Sequence, residues 1–266
     1  MPEDVLAPLP IARVAAWYRR LATAASAPVP ALADPPLSGP FLLAYLDNRT
    51  HGATVRFTAP RHLREAPEIR RIQREHRDIF LSQRRAKLPG KRTGIVGILP
   101  RLRGDAAFTK WDGASPLAMS YESLCDFAPT PMDIARIQLI GTAAELDLLT
   151  SLRGFQLRSE VSVVGFRDAD GTRMLRFASW QLSGNDLYDF NYDEHLTLPN
   201  PDYRQSGAEL VRPDLEKITV FHSNAKRLED AGLAAPFRVA IRPWRPTDPA
   251  LMLPAPLPVL TPALRR

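Results

Sequence analysis

FQLRSEVSVVGFRDADGTRMLRFASWQL, the stretch from Phe155 to Leu182, decides the fold class of this chain. Two runs of alternating apolar residues, Phe155 to Phe166 and Thr172 to Leu182, flank Asp168-Ala169-Asp170-Gly171. A period of two puts one face of each run on a core, and an Asp-Gly turn between them predicts a β-hairpin. The second strand leads through Ser183-Gly184-Asn185 into Asp186-Leu187-Tyr188-Asp189-Phe190-Asn191-Tyr192-Asp193-Glu194-His195. Four carboxylates, two phenols, an amide and an imidazole fall within those ten residues. The reading places them on a loop at a strand end, where a rigid scaffold displays functional groups. Carboxylate oxygens suit a hard cation such as Mg²⁺ or Ca²⁺, and an imidazole carries a proton near neutral pH. Phosphate-ester chemistry uses both. The plainer reading is an acidic turn leaving a strand, with its tyrosines packed on the core.

Working outward, Ile11 to Ala25 carries Ile11, Val14, Ala15, Trp17, Tyr18 and Leu21 at helical spacing, which predicts an amphipathic helix. Pro28 to Pro40 holds five prolines and reads as an extended segment. Phe41 to Asp47 is a short apolar run that reads as a buried strand. From Pro67 to about Lys87, Ile69, Ile72, Ile79 and Phe80 form an apolar stripe on a charged helix that Pro89-Gly90 stops. Ile95 to Leu99 and Phe237 to Ile241 read as strands, and Asp214 to about Ala231 as helical at its end. The tail beyond Arg245 carries six prolines and is expected to be extended or disordered. These readings predict an α+β protein in three parts. Residues 1–93 form a helical, Pro-rich and basic region, 94–245 an antiparallel β-rich, half-barrel-like catalytic domain, and 246–266 a Pro-rich tail.

An apolar fraction of 45% marks the chain as globular rather than disordered. The single Cys125 excludes an intramolecular disulfide and reads as a small core residue. Pro2-Glu3-Asp4 opens no secretory signal and no run approaches a membrane span, so synthesis as a soluble cytoplasmic chain is expected. Between Arg61 and Arg92 eleven basic residues face four acidic ones within a net charge of +6. Such a stripe suits an anionic surface or an acidic partner, or is a solvated helix face. Its lack of aromatics other than Phe80 argues against nucleic acid. His51, His62 and His76 read as surface groups, and His222 as a packing residue or a member of the site. Trp111, Trp180 and Trp244 read as core or rim aromatics. With one Cys and no His-x-x-x-His pair, zinc is disfavoured, and neither a Gly-x-Ser-x-Gly elbow nor a Walker loop is present.

The spacing Asp-x-Tyr-Asp-x-x-x-x-x-His, here Asp186, Tyr188, Asp189 and His195, resembles the active-site signature of colicin M-type bacteriocins. That family continues with Arg, where this chain has Leu196. The resemblance covers at most the segment from about Gly154 to Arg245. It implies a metal-dependent phosphodiesterase that cuts lipid II between the polyprenol and the pyrophosphate and so stops peptidoglycan synthesis. It implies Asp189 as the essential carboxylate, with Asp186 as its partner on Mg²⁺ (or Ca²⁺) or on water. His195 would be general acid or base, and Tyr188 would orient a phosphate oxygen or pack beneath the site. For the charge that the motif Arg would bring, Arg204, Arg158, Arg212 and Arg227 are candidates, with Asn191 as a further phosphate ligand. The phrase from Pro199 to Phe237 is similar to an uncharacterised proteobacterial family associated with type VI secretion loci.

These resemblances imply an antibacterial effector that acts in the periplasm of a target cell after secretion. Its partners would be lipid II at the membrane surface, a cognate immunity protein and a secretion-spike or adaptor protein. The basic helix would press against anionic headgroups. Two other classes stay open: a non-enzymatic secretion-system adaptor, and a metal-dependent nuclease exploiting the positive charge.

Overall fold

A computed structural model of the chain describes residues 3–48, 52–81, 85–86, 94–95, 115–190 and 194–257. Among these residues the fold is α+β, with seven helices and a mixed, open sheet. The helices are α1 (Ile11–Ala25), α2 (Ser38–Asp47), α3 (Arg61–Arg64), α4 (Pro67–Leu81), α5 (Pro131–Ile140), α6 (Ala143–Ser151) and α7 (His222–Asp230). The strands are β1 (Thr54–Phe57), β2 (Arg85–Ala86), β3 (Gly94–Ile95), β4 (Leu117–Asp126), β5 (Gly154–Arg167), β6 (Arg173–Tyr188), β7 (His195–Pro199), β8 (Lys217–Phe221), β9 (Phe237–Trp244) and β10 (Ala255–Pro256). The main sheet has the order β1-β9-β6-β5-β4, with β10 also paired to β6. β2 pairs with β3, and β7 with β8, in separate ribbons.

The hairpin forms as its alternation predicts. β5 buries Phe155, Leu157, Ser159, Val161 and Val163, every second residue. Its turn is held by the Asp168 carboxylate, which accepts from the backbone N–H groups of Asp170 and Thr172. Gly171 closes it at φ +76°, a left-handed conformation that costs glycine little. The sheet is not wholly antiparallel, however. β1 runs parallel to β9, pairing Thr54 with Arg238 through to Phe57 with Ile241.

The chain packs into two compact units, each built from three segments rather than from consecutive blocks. Unit 1 takes Met1–Leu63, Asp126–Phe155 and Asn185–Ile241, and unit 2 takes Arg64–Cys125, Gln156–Gly184 and Arg242–Arg266. In unit 1, α1 follows its predicted bounds and buries Val14, Trp17, Tyr18, Leu21 and Ala22. Trp17 donates its indole N–H to Asn200, whose own amide group donates to the carbonyls of Val211, Arg212 and Leu215. Beside it the buried Asp202 carboxylate accepts both arms of Arg20, at 2.6 and 2.9 Å, and the Val211 N–H. One loop after β7 is thereby fixed to the first helix. Asp147 does the same for α2. Burial pushes its carboxyl up, but hydrogen bonds from His62 and from the N–H groups of Leu37 and Ser38 outweigh this and hold it below its ordinary value.

Several expectations are corrected. Phe41 to Asp47 is helix, with Phe41, Leu42, Tyr45 and Leu46 buried at the i, i+1, i+4, i+5 spacing of one helical face while Leu43 and Ala44 are only partly buried. The helix from Pro67 ends at Leu81 instead of near Lys87, and Arg85–Ala86 is strand. The segment from Asp214 is helical at its end as expected, over His222–Asp230, and Lys217–Phe221 before it is a strand that buries Ile218 and Val220 in alternation. The tail beyond Arg245 has structure: a 3₁₀ turn at Pro249–Met252 and the strand β10 against β6. His76 is buried and the His62 side chain is only 6% exposed, so neither is a surface group. In unit 2, His76 lies between the Ser159 and Ser123 hydroxyls at 2.8 and 2.7 Å, with Trp180 donating to Ser159. Burial lowers its pKa to about 4. Trp180, Trp244 and Cys125 are buried as expected. His51, Trp111 and residues 96–99 of the predicted strand lie outside the described residues.

Candidate active site

The acidic motif is not a single loop. Asp186, Leu187 and Tyr188 are the last residues of β6, Asp189 and Phe190 follow it, and His195 opens β7. Alternation along β6 decides their directions. Tyr188 turns inward and is buried, stacked on Phe237 at 5.0 Å and edge-on to Phe41 at 5.8 Å. Its phenol is pushed up by burial, so it stays neutral. Leu187 is half exposed.

All four motif residues line one cavity of about 660 Å³. The rest of its wall comes from elsewhere in unit 1: Arg153 and Gly154 after α6, Pro131 and Ile134 on α5, Glu194 before β7, and His222 at the start of α7. Asp186 has its pKa raised from 3.8 to about 7, first by burial and then by the Asp189 charge, against the opposing hydrogen bond from the Leu187 N–H. Asp189 is raised as well, by burial and by Glu229 and Glu194, against the pull of Lys226. Two carboxyls with elevated proton affinity therefore face the same space.

Glu194 organises a further part of the wall. Its carboxylate pairs with Arg153 and lies 3.5 Å from Nδ1 of His222, while its carbonyl accepts the His222 N–H. Phe190 meets the His222 ring edge-on at 5.0 Å. Arg153 sits at φ +29°, in the left-handed region that L residues disfavour, with its N–H on the Leu148 carbonyl and its own carbonyl taking the Phe127 N–H. The backbone is thus held in a strained form at the residue that brings a cation to the cavity. His195 is exposed and stacks on Phe221 at 5.2 Å, its cross-strand partner.

The structure brings together Asp186, Tyr188, Asp189 and His195, and adds His222, Glu194 and Arg153. It does not bring in the other expected cations. Arg204 lies over the Tyr203 ring at 4.8 Å, and Arg158 belongs to unit 2, where it pairs with Glu160. Arg212 pairs with Asp214, and Arg227 holds the Leu6 and Leu9 carbonyls. Asn191 lies outside the described residues. Arg153 is the residue that the sequence reading missed.

A second cavity, of about 340 Å³, is lined mainly by apolar side chains, among them Leu21, Val29, Leu32, Leu42 and Val220. Tyr188, Phe190, Leu196, Thr150 and His222 line both cavities. Among the described residues no three His, Cys, Asp or Glu side chains converge to hold a metal ion. Asp186 and Asp189 are nevertheless two hard oxygen donors on one cavity wall. Mg²⁺ is held by one or two carboxylates and completes its shell with water and substrate phosphate, and a cation would relieve the mutual repulsion of this pair. No protein-family model, curated protein or solved structure matches the chain.

Proposed function

We propose that this protein is a divalent-metal-dependent phosphodiesterase acting on a lipid-linked pyrophosphate, lipid II in the colicin M-like reading, and that it is an antibacterial effector. The observation that carries the proposal is the shared wall between an acidic cavity and an apolar one. A polyprenyl pyrophosphate has the matching two parts: a charged head needing a cation and proton carriers, and a chain needing apolar lining.

Asp186 and Asp189 would hold Mg²⁺, which when bound neutralises phosphate charge and polarises the reacting oxygens. Arg153 presents a planar guanidinium to a phosphate oxygen, the task that Leu196 leaves undone in the motif. Glu194 lies 3.5 Å from Nδ1 of the His222 ring, which is placed to pass a proton to the leaving oxygen or take one from water. His195, at the exposed start of β7, is placed to meet the more distal part of the head group. Leu42, Val220 and Leu21 exclude water along the chain side, which strengthens every charge interaction at the head. In this reading the protein reaches the periplasm of a target cell through a delivery partner, and a cognate immunity protein guards the producer.

The test is incubation of the purified protein with lipid II. Cleavage that depends on Mg²⁺, stops on chelation and returns when Mg²⁺ is restored is the expected result. A folded protein that leaves lipid II intact with Mg²⁺ supplied would refute the proposal.

A further inference from the structure

The apolar cavity carries a polar group with nothing to bind. Tyr18, on α1, lines that cavity and is 1% exposed, yet its hydroxyl has no hydrogen-bond partner among the described residues. Other polar groups of the same wall are engaged. The Asp147 carboxylate takes the Leu37 and Ser38 N–H groups and His62, and the Thr150 hydroxyl donates to the Leu146 carbonyl. Asn200 accepts from Trp17 and donates to three carbonyls. An unpaired buried hydroxyl is costly, and native folds rarely keep one without a use for it. The Tyr18 ring is held edge-on to Trp17 at 5.5 Å. Burial, then the Asp4 charge and Tyr188, push its phenol up against the pull of Arg227, so it stays protonated and can donate. Tyr188, within electrostatic reach of Tyr18, lines both cavities, so Tyr18 stands near the seam between them. Size sets a second limit. At close packing a chain carbon occupies about 25 Å³, so a cavity of about 340 Å³ holds about fourteen carbons, close to three isoprene units.

We infer that the apolar cavity takes about three isoprene units at the head end of a prenyl chain, and that the Tyr18 hydroxyl donates a hydrogen bond to the oxygen joining that chain to its head. The inference rests on the polyprenyl pyrophosphate proposed above, and it names the part of that molecule which the protein reads. A bare hydrocarbon would leave the Tyr18 hydroxyl unpaired. A prenyl oxygen accepts a hydrogen bond and completes it. Leu21 and Ala25 on α1, Leu42 on α2, Leu146 on α6 and Val220 on β8 line the space that the chain would fill. Isoprene units beyond the third lie outside the cavity and add nothing to binding.

The test is equilibrium dialysis of the purified protein, without metal, against geraniol, farnesol, geranylgeraniol and farnesene, the last being the three-unit chain without its oxygen. Wild type should bind farnesol about tenfold more tightly than farnesene, the worth of one hydrogen bond to a buried donor. Tyr18→Phe should bind the alcohol and the hydrocarbon alike. Geraniol, one unit short, should bind wild type about a hundredfold more weakly than farnesol, and geranylgeraniol no more tightly. Tyr18→Phe removes an unpartnered hydroxyl, so urea unfolding should find it no less stable than wild type. A loss of stability would give the hydroxyl a partner within the protein and overturn the inference. So would equal affinity of wild type for farnesol and farnesene, affinity that keeps rising with geranylgeraniol, or no binding of any of them. Prenol binding needs neither metal nor head group, so failed lipid II cleavage with farnesol binding intact faults the enzymatic reading alone. Lipid II cleavage without farnesol binding faults this inference alone.

Discussion

Asp186→Asn should make the protein more stable at high pH and remove one arm of its pH dependence. In the folded chain this carboxyl is raised from 3.8 to about 7, mainly because it is buried and then because Asp189 repels its charge. Such a change is worth about 4 kcal/mol between the two protonation states, at roughly 1.4 kcal/mol for each tenfold change in proton affinity. The unfolded chain releases this proton near 3.8, whereas the folded chain keeps it until about pH 7. Folding therefore takes up a proton in between. The stability contributed by Asp186 is complete below about pH 4 and is lost as the pH rises through 7. Asparagine keeps the shape and cannot ionise, so the variant lacks this loss. Urea unfolding across that interval should show the variant gaining on wild type by up to about 4 kcal/mol, with most of the gain complete above neutrality. Parallel curves for the two proteins would refute the reasoning, as would a carbon-13 carboxyl resonance of Asp186 titrating near 4.

His76 gives the opposite arm. Its pKa falls from 6.5 to about 4 on burial, so wild type should lose about 3 kcal/mol as the pH drops between those values, and His76→Gln should lack that slope in the same unfolding series. Asp202→Asn should cost about 3 kcal/mol in urea unfolding, because it leaves the Arg20 guanidinium without its buried counter-charge. Arg153→Gly should separate stability from function. Relief of the left-handed backbone raises stability by about 1 kcal/mol, while loss of the cation raises the KM for lipid II. His222→Gln should lower kcat more than His195→Gln does, since the His222 ring lies 3.5 Å from a carboxylate in the cavity.

The strand β5 and helix α1 were readable because each keeps a clean period, two in the first and 3.6 in the second, whereas β6 shifts phase where Ala178 and Ser179 are both exposed. Phe41 to Asp47 was not, because six successive apolar residues mask the i, i+1, i+4, i+5 spacing of the face that the helix buries. Helices α5 and α6 went unread although Thr130-Pro131-Met132-Asp133 and Thr142-Ala143-Ala144-Glu145 spell capping boxes. On α5 the largest apolar residues face outward, so the apolar pattern points away from the core that the helix covers. The motif placed Asp186, Tyr188, Asp189 and His195 on one cavity wall because they are close in sequence. His222 and Arg153 reach that cavity from segments far away in the chain. No local pattern announces Arg153, whose position depends on a strained residue at the end of α6 meeting Glu194.

Mass spectrometry of lipid II incubated with Mg²⁺ and either wild type or Asp189→Asn tests the central claim most directly. The account predicts that wild type alone yields free undecaprenol and a pyrophosphorylated disaccharide-peptide. Equal cleavage by Asp189→Asn, or products cut at any other bond, would contradict it.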